Sequence, residues 1–94
     1  MSEYAKPRFQ KVRVEAGDYL LVSDDMRKLW RIHRFKDTDD RRWLWEVFLW
    51  HRPFGPEMID EVSVATLAWD QWRVEWSGFR SLGEAVHEIV MESL

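Results

Sequence analysis

"RRWLWEVFLWH" (residues 41–51) carries three of the seven tryptophans of this chain. Successive side chains of a strand point to opposite faces, so a half-buried strand shows one apolar parity and one polar parity. Here both parities are apolar. Trp43, Trp45, Val47 and Leu49 fall on one, and Leu44, Phe48 and Trp50, interrupted by Glu46, on the other. The stretch reads as a strand covered on both sides, and what covers the second side is the question with the most bearing on function.

The preceding segment, "KLWRIHRFK" (28–36), pairs with it as a hairpin if "DTDD" (37–40) is the loop. That register sets Arg34 across from Trp43, Ile32 from Trp45 and Trp30 from Val47. It also sets Arg31 across from Glu46, His33 from Leu44, Phe35 from Arg42 and Leu29 from Phe48. A one-residue slip would mix Trp43 and Trp45 with Arg31 and His33, so parity favours the first register. Trp30, Ile32, Trp43, Trp45, Val47 and Leu49 then form a core face. The second face mixes Leu29, Phe35, Leu44, Phe48 and Trp50 with Arg31, His33 and Arg42.

Outward from the hairpin, "KVRVE" (11–15) and "YLLVS" (19–23) read as strands joined by the tight turn Ala16-Gly17-Asp18. "WRVEWSGF" (72–79) alternates, with Trp72, Val74 and Trp76 expected on one side. Residues 57–70 fit a helix opened by Pro56 or a strand in "VSVATL", and periodicity does not separate the two. After Ser81, Glu84 completes a capping-box pattern, and Leu82, Ala85, Val86, Ile89 and Val90 form one helical stripe. Glu84, Glu88 and Glu92 make an acidic ridge at i, i+4 spacing. So short a helix needs a surface to pack on. The expected fold is α+β: an antiparallel sheet of four to five strands with a C-terminal amphipathic helix on one face. Residues 1–94 form a single domain, with 1–8 loose at the end.

Ninety-four residues, 46% of them hydrophobic and 15% aromatic, suffice for one core. With no cysteine there is no disulfide framework, thiolate metal site or thiol nucleophile. Apolar runs are far below the ~20 residues of a membrane helix, and "MSEYAKPRFQK" lacks the apolar core of a signal peptide, so a cytoplasmic protein is expected. Net charge is −3 and uneven: residues 1–36 hold nine Lys/Arg against five Asp/Glu, and residues 53–94 hold two against eight. Such polarity can steer a partner.

No motif for catalysis or cofactor binding stands out. "DTDDRRW" starts like a calcium loop, but Arg42 stands where glycine is needed and Phe48 where the bidentate glutamate belongs. His33, His51 and His87 lack metal-ligand spacing. The four glycines form no phosphate-binding or nucleophile-elbow pattern. Neither a metal nor a cofactor is expected, nor enzymatic activity.

With ten Arg to four Lys and no Asn, the chain resembles in style the small accessory proteins of actinobacteria and their phages. Strands followed by "GFRSLGEA" (78–85) and a helix resemble, more locally, the AP2-type domain and the arm-binding domain of tyrosine recombinases. There a similar F-x-S/T-x-x-E-A marks the strand-to-helix junction. That resemblance implies DNA read by the exposed sheet face, with Arg31, Arg42 and Arg73 as readers. Glu46 and Glu75 on the reading face and the acidic helix depart from the pattern. The residues themselves favour a small non-catalytic binding protein acting through protein–protein contact, either with itself or with a cellular partner. Its contact would be Phe35, Leu44, Phe48 and Trp50 rimmed by Arg31 and Arg42, because aromatics and arginine are enriched at interfaces. Sheet-mediated DNA or RNA binding is the alternative.

Overall fold

A computed structural model describes residues 9–25, 27–39, 41–50, 54 and 72–93. It contains strands β1 (Phe9–Glu15), β2 (Asp18–Ser23), β3 (Leu29–Lys36), β4 (Trp43–Trp50) and β5 (Trp72–Phe79), then helix α1 (Leu82–Glu92). The five strands form one sheet in the order β1-β2-β3-β4-β5, every neighbour antiparallel. This is the expected α+β architecture. Short connections favour antiparallel neighbours. The first needs only Ala16 and Gly17, the latter at φ +78°, a left-handed conformation that costs glycine nothing. The N-terminal strands therefore widen the sheet.

The central hairpin keeps its expected faces but not its expected partners. Ile32 stands opposite Val47, Arg34 opposite Trp45 and Lys36 opposite Trp43, a displacement of two residues. The cause is the loop. Arg41 adopts φ 61°, its N–H donates to the Asp37 carbonyl (2.9 Å), and the Asp37 N–H donates to the Arg42 carbonyl (2.8 Å). The Asp37 side chain also accepts the Asp39 N–H at 3.0 Å. Arg41 and Arg42 thus belong to the turn. A shift of two preserves parity, so no side chain changes face. The expected opposition of Arg31 to Glu46 does not occur, since Arg31 faces Phe48 and Glu46 faces His33.

β5 departs from simple alternation. Trp72 pairs with Trp50 and Val74 with Phe48, but Trp76 pairs with Val47 and Phe79 with Trp45, with two register shifts between. Each shift inserts one unpaired residue, as a β-bulge does; Gly78, at φ +90°, lies at the second. Trp72 and Trp76 consequently lie on opposite faces, contrary to the single apolar side expected for this strand.

Each face carries its own core. On the helix face, Leu21, Trp30, Ile32 and Val47 are buried with Ala85 and Ile89 of α1, and Trp45, Leu49, Trp76, Phe79, Leu82 and Val86 pack around them. Ser81 caps α1 by accepting the Glu84 N–H (3.1 Å), while the Glu84 carboxylate accepts the N–H of Arg80 (2.7 Å), one residue before the usual capping-box donor. On the far face, Leu20, Val22, Leu29, Trp50 and Trp72 are buried, with Val12, Val14, Phe48 and Phe54 against them. Leu20 and Leu29 are fully buried within the single chain, so the chain itself covers this part of the second face. Phe54, from the connection between β4 and β5, packs against this cluster. The ambiguous segment 57–70, the N-terminal residues 1–8 and His51 lie outside the described residues.

Candidate functional site

The residues singled out from sequence do not assemble into one surface. Arg31 is 6% exposed and Trp50 is 7% exposed. The Arg31 guanidinium donates from Nε to Asp18 Oδ1 (2.9 Å) and from Nη2 to Oδ2 (2.6 Å), and lies 5.8 Å from the Trp72 ring centre. Trp50 packs on Trp72 with ring centres 5.1 Å apart. Both residues are occupied inside the molecule and present nothing to a partner. Phe35, Leu44 and Phe48 keep partial exposure on the far face, and Arg42 is exposed in the β3–β4 turn. The reader set implied by the DNA-binding resemblance is divided further. Arg73 shares the helix face with Leu49 and is held by Glu75 at 3.1 Å, while Arg31 is buried on the other side. The sheet face opposite the helix, which would read DNA in those families, is here largely an apolar core.

A polar row crosses that far face: Asp18 stands opposite His33, His33 opposite Glu46, and Glu46 opposite Ser77. His33 Nδ1 is 3.9 Å from Asp18 Oδ2. Both Asp18 oxygens already accept from Arg31, so the carboxylate is a structural counter-charge in an apolar surround and poorly placed as a general base.

The open surface lies on the other side. α1 packs over β4 and β5, beside Val47, Leu49, Trp76 and Phe79, with Leu21 of β2 in the same cluster, while Lys11 and Arg13 of β1 and the loop-proximal Arg34, Lys36 and Trp43 of β3 and β4 stay exposed. Register brings Arg13 beside Tyr19, Arg34 beside Trp45 and Lys36 beside Trp43 on this face. Lys11, Arg13, Arg34 and Lys36 are all exposed, Tyr19 and Trp45 are partly exposed, and Trp43 is 54% exposed. The Arg34 guanidinium sits 4.6 Å from the Trp43 ring centre, Lys11 Nζ is 5.8 Å from that of Tyr19, and the Tyr19 and Trp45 rings are 6.1 Å apart. Cations held over ring faces are attracted by the ring quadrupole. Among the described strand residues, none aligned on this half of the face is acidic.

Gly17 helps to place Arg34. Its carbonyl accepts the Arg34 N–H at 2.7 Å, and a Cβ at Gly17 would come within 3.3 Å of both Cβ and Nε of Arg34. The bare turn lets the arginine stem lie close against it. Sequence reading overlooked this surface although its signal was present. Lys11 and Arg13 alternate with Val12 and Val14, and Arg34 and Lys36 share the parity of the tryptophans. What was missing was the strand order that sets β1 and β2 beside β3.

At the opposite end of the sheet, a cleft of about 470 Å³ is lined by Phe9, Trp30, Asp24, Lys28 and Glu92 among others. Its rim carries both signs of charge. Asp25 there is held below the usual carboxylate range, chiefly by the Ser23 hydroxyl it accepts at 2.7 Å and next by the Arg27 N–H. These bonds close the β2–β3 turn and leave that carboxylate committed. Among the described residues no group of three His, Asp or Glu is disposed to hold a metal, and no helix is long and apolar enough to cross a membrane. Comparison with family models, with curated proteins and with solved structures finds no match.

Proposed function

We propose that this protein is a small non-catalytic binding module whose contact surface is the open half of the helix face. Its partner is polyanionic. The observation that carries this reading is the set of four exposed cations, Lys11, Arg13, Arg34 and Lys36, interleaved with Tyr19, Trp43 and Trp45. Several aromatic rings and cations gathered on one face match the enrichment of aromatics and arginine at contact surfaces. Cations around aromatic rings combine long-range attraction for an anion with apolar and π contact once it arrives. The chain's overall charge of −3 does not oppose this. At physiological salt the screening length is ~8 Å, so a partner at the surface responds to the local patch.

Retention on a heparin column tests the reading. The protein should bind at low salt, and the Arg34→Ala and Lys36→Ala variants should elute earlier with unchanged thermal unfolding. Flow-through of the parent protein, or variants eluting with it, would sink the proposal.

A protein partner is the second reading, favoured by the acidic ridge of α1, Glu84, Glu88 and Glu92, which complements the basic patch in sign. The ridge of one copy meeting the patch of the next would be a head-to-tail contact that need not close. Light scattering would then show mass growing with concentration at low salt and reverting at high salt.

A further inference from the structure

The chemistry of this surface narrows the polyanion, and the narrowing rests on the contact surface proposed above. We infer that the ligand is single-stranded nucleic acid, held with little regard to base sequence. Trp43 is the first argument. Its ring is half exposed, and the guanidinium of Arg34 lies over it at 4.6 Å from the ring centre. A planar cation on a planar ring is a platform for another flat π-system, and an unpaired base is one. Trp45 follows two residues later on the same face, about 7 Å along the strand at the rise of a β-strand. Tyr19 lies beside it at 6.1 Å. Two rings thus follow one another along β4, and a third from β2 adjoins the second, so more than one base can find a ring. A sulfated or carboxylated polymer offers no π-system to lie against the guanidinium and the ring, and an acidic peptide would engage the cations without needing the rings.

The cations fit the backbone of such a strand. Arg34 and Lys36 flank the ring line on β3, and Lys11 and Arg13 extend it across β1. Strand strength follows charge count here, because each neutralised phosphate releases counterions. Duplex fits less well on two grounds. Its base faces are stacked inside the helix and are closed to Trp43. It also brings a second phosphate backbone to a sheet face that already carries α1 with Glu84, Glu88 and Glu92. Indifference to sequence follows from the side chains present. Stacking on Trp43 and phosphate contact from Lys11, Arg13, Arg34 and Lys36 are open to every base.

Fluorescence anisotropy with labelled oligo-dT, oligo-U and a duplex of equal length tests the inference. Both single strands should bind at least tenfold more tightly than duplex and within a few-fold of one another. Trp43→Ala should weaken them roughly tenfold, within the range for loss of one stacked base. Trp43→Phe should restore most of the binding, because a flat ring remains. Heparin retention should fall more with Arg34→Ala or Lys36→Ala than with Trp43→Ala, the reverse of the order expected for single strands. If heparin is retained through Arg34 and Lys36 but single strands bind no better than duplex, or Trp43→Ala binds them like the parent, the surface stands and the nucleic-acid inference is overturned. If heparin is not retained either, both readings fall together.

Discussion

Arg31 and Arg34 are three residues apart on one strand and meet opposite fates. Odd spacing puts them on opposite faces. Arg31 turns into the far-face core and survives there because Asp18, 1% exposed, receives it through Nε and Nη2. Arg34 turns to the open face and lies over Trp43. A buried ion pair adds little net stability, but breaking one leaves a charge in an apolar site without its counter-charge. Asp18→Asn should therefore cost about 3–5 kcal/mol in urea unfolding. Arg73→Ala, which opens an exposed pair with Glu75, should cost under about 1 kcal/mol. Equal effects of the two substitutions would mean that the Arg31 pair is not desolvated in solution. The face of Arg31 was legible from parity. Its partner was not, because Asp18 lies thirteen residues away and reaches it only through the turn at Gly17 and the pairing of β2 with β3.

At the scale of elements, parity held in β4 and failed in β5. The faces of β4 follow from alternation alone, and a slip of two residues leaves them intact. The slip came from Arg41, whose left-handed backbone lengthens the turn and which carries none of the usual glycine or asparagine signal for it. In β5 the residue left out of register between Val74 and Trp76 inverts Trp76 and Ser77, until the second shift at Gly78 restores the alternation, so Trp76 joins the helix-face core while Trp72 stays on the far face. Bulges are set by how a strand must twist to meet its neighbours, and a single strand's sequence does not record that. The helix was the most legible element, since its cap and its stripe are both local. The consequence for function sits in Trp50. Read as a partner-binding side chain, its loss would spare the fold. Packed on Trp72 with Leu29 beside it in the far-face core, Trp50→Ala should cost about 3–5 kcal/mol. Trp50→Phe should cost distinctly less, because a ring that packs on Trp72 remains. A melting temperature unmoved by Trp50→Ala would return this residue to the surface.

For the whole molecule, the four cations of the patch and the acidic ridge of α1 come from opposite halves of the chain. β1 and β3 bring Lys11, Arg13, Arg34 and Lys36 to one part of the helix face, and α1 brings Glu84, Glu88 and Glu92 to another. A molecule with net charge −3 can then bind an anion in one orientation and repel it in others. That segregation sets how binding responds to salt. For a single strand the logarithm of affinity falls with the logarithm of salt by about 0.7 per phosphate contacted, so four engaged cations imply a slope near −3. Raising salt fourfold should then weaken oligo-dT binding by roughly fiftyfold. Lys11→Ala and Lys36→Ala should each make the slope shallower by about 0.7, equally for oligo-dT and oligo-U, because a phosphate contact carries no base information. Arg73→Ala is the matched control. It removes the same sign of charge from the same face, at a place where Glu75 already holds it and away from the rings, so the slope should not move. A slope changed equally by all three substitutions would mean that net charge, and not this patch, governs the interaction.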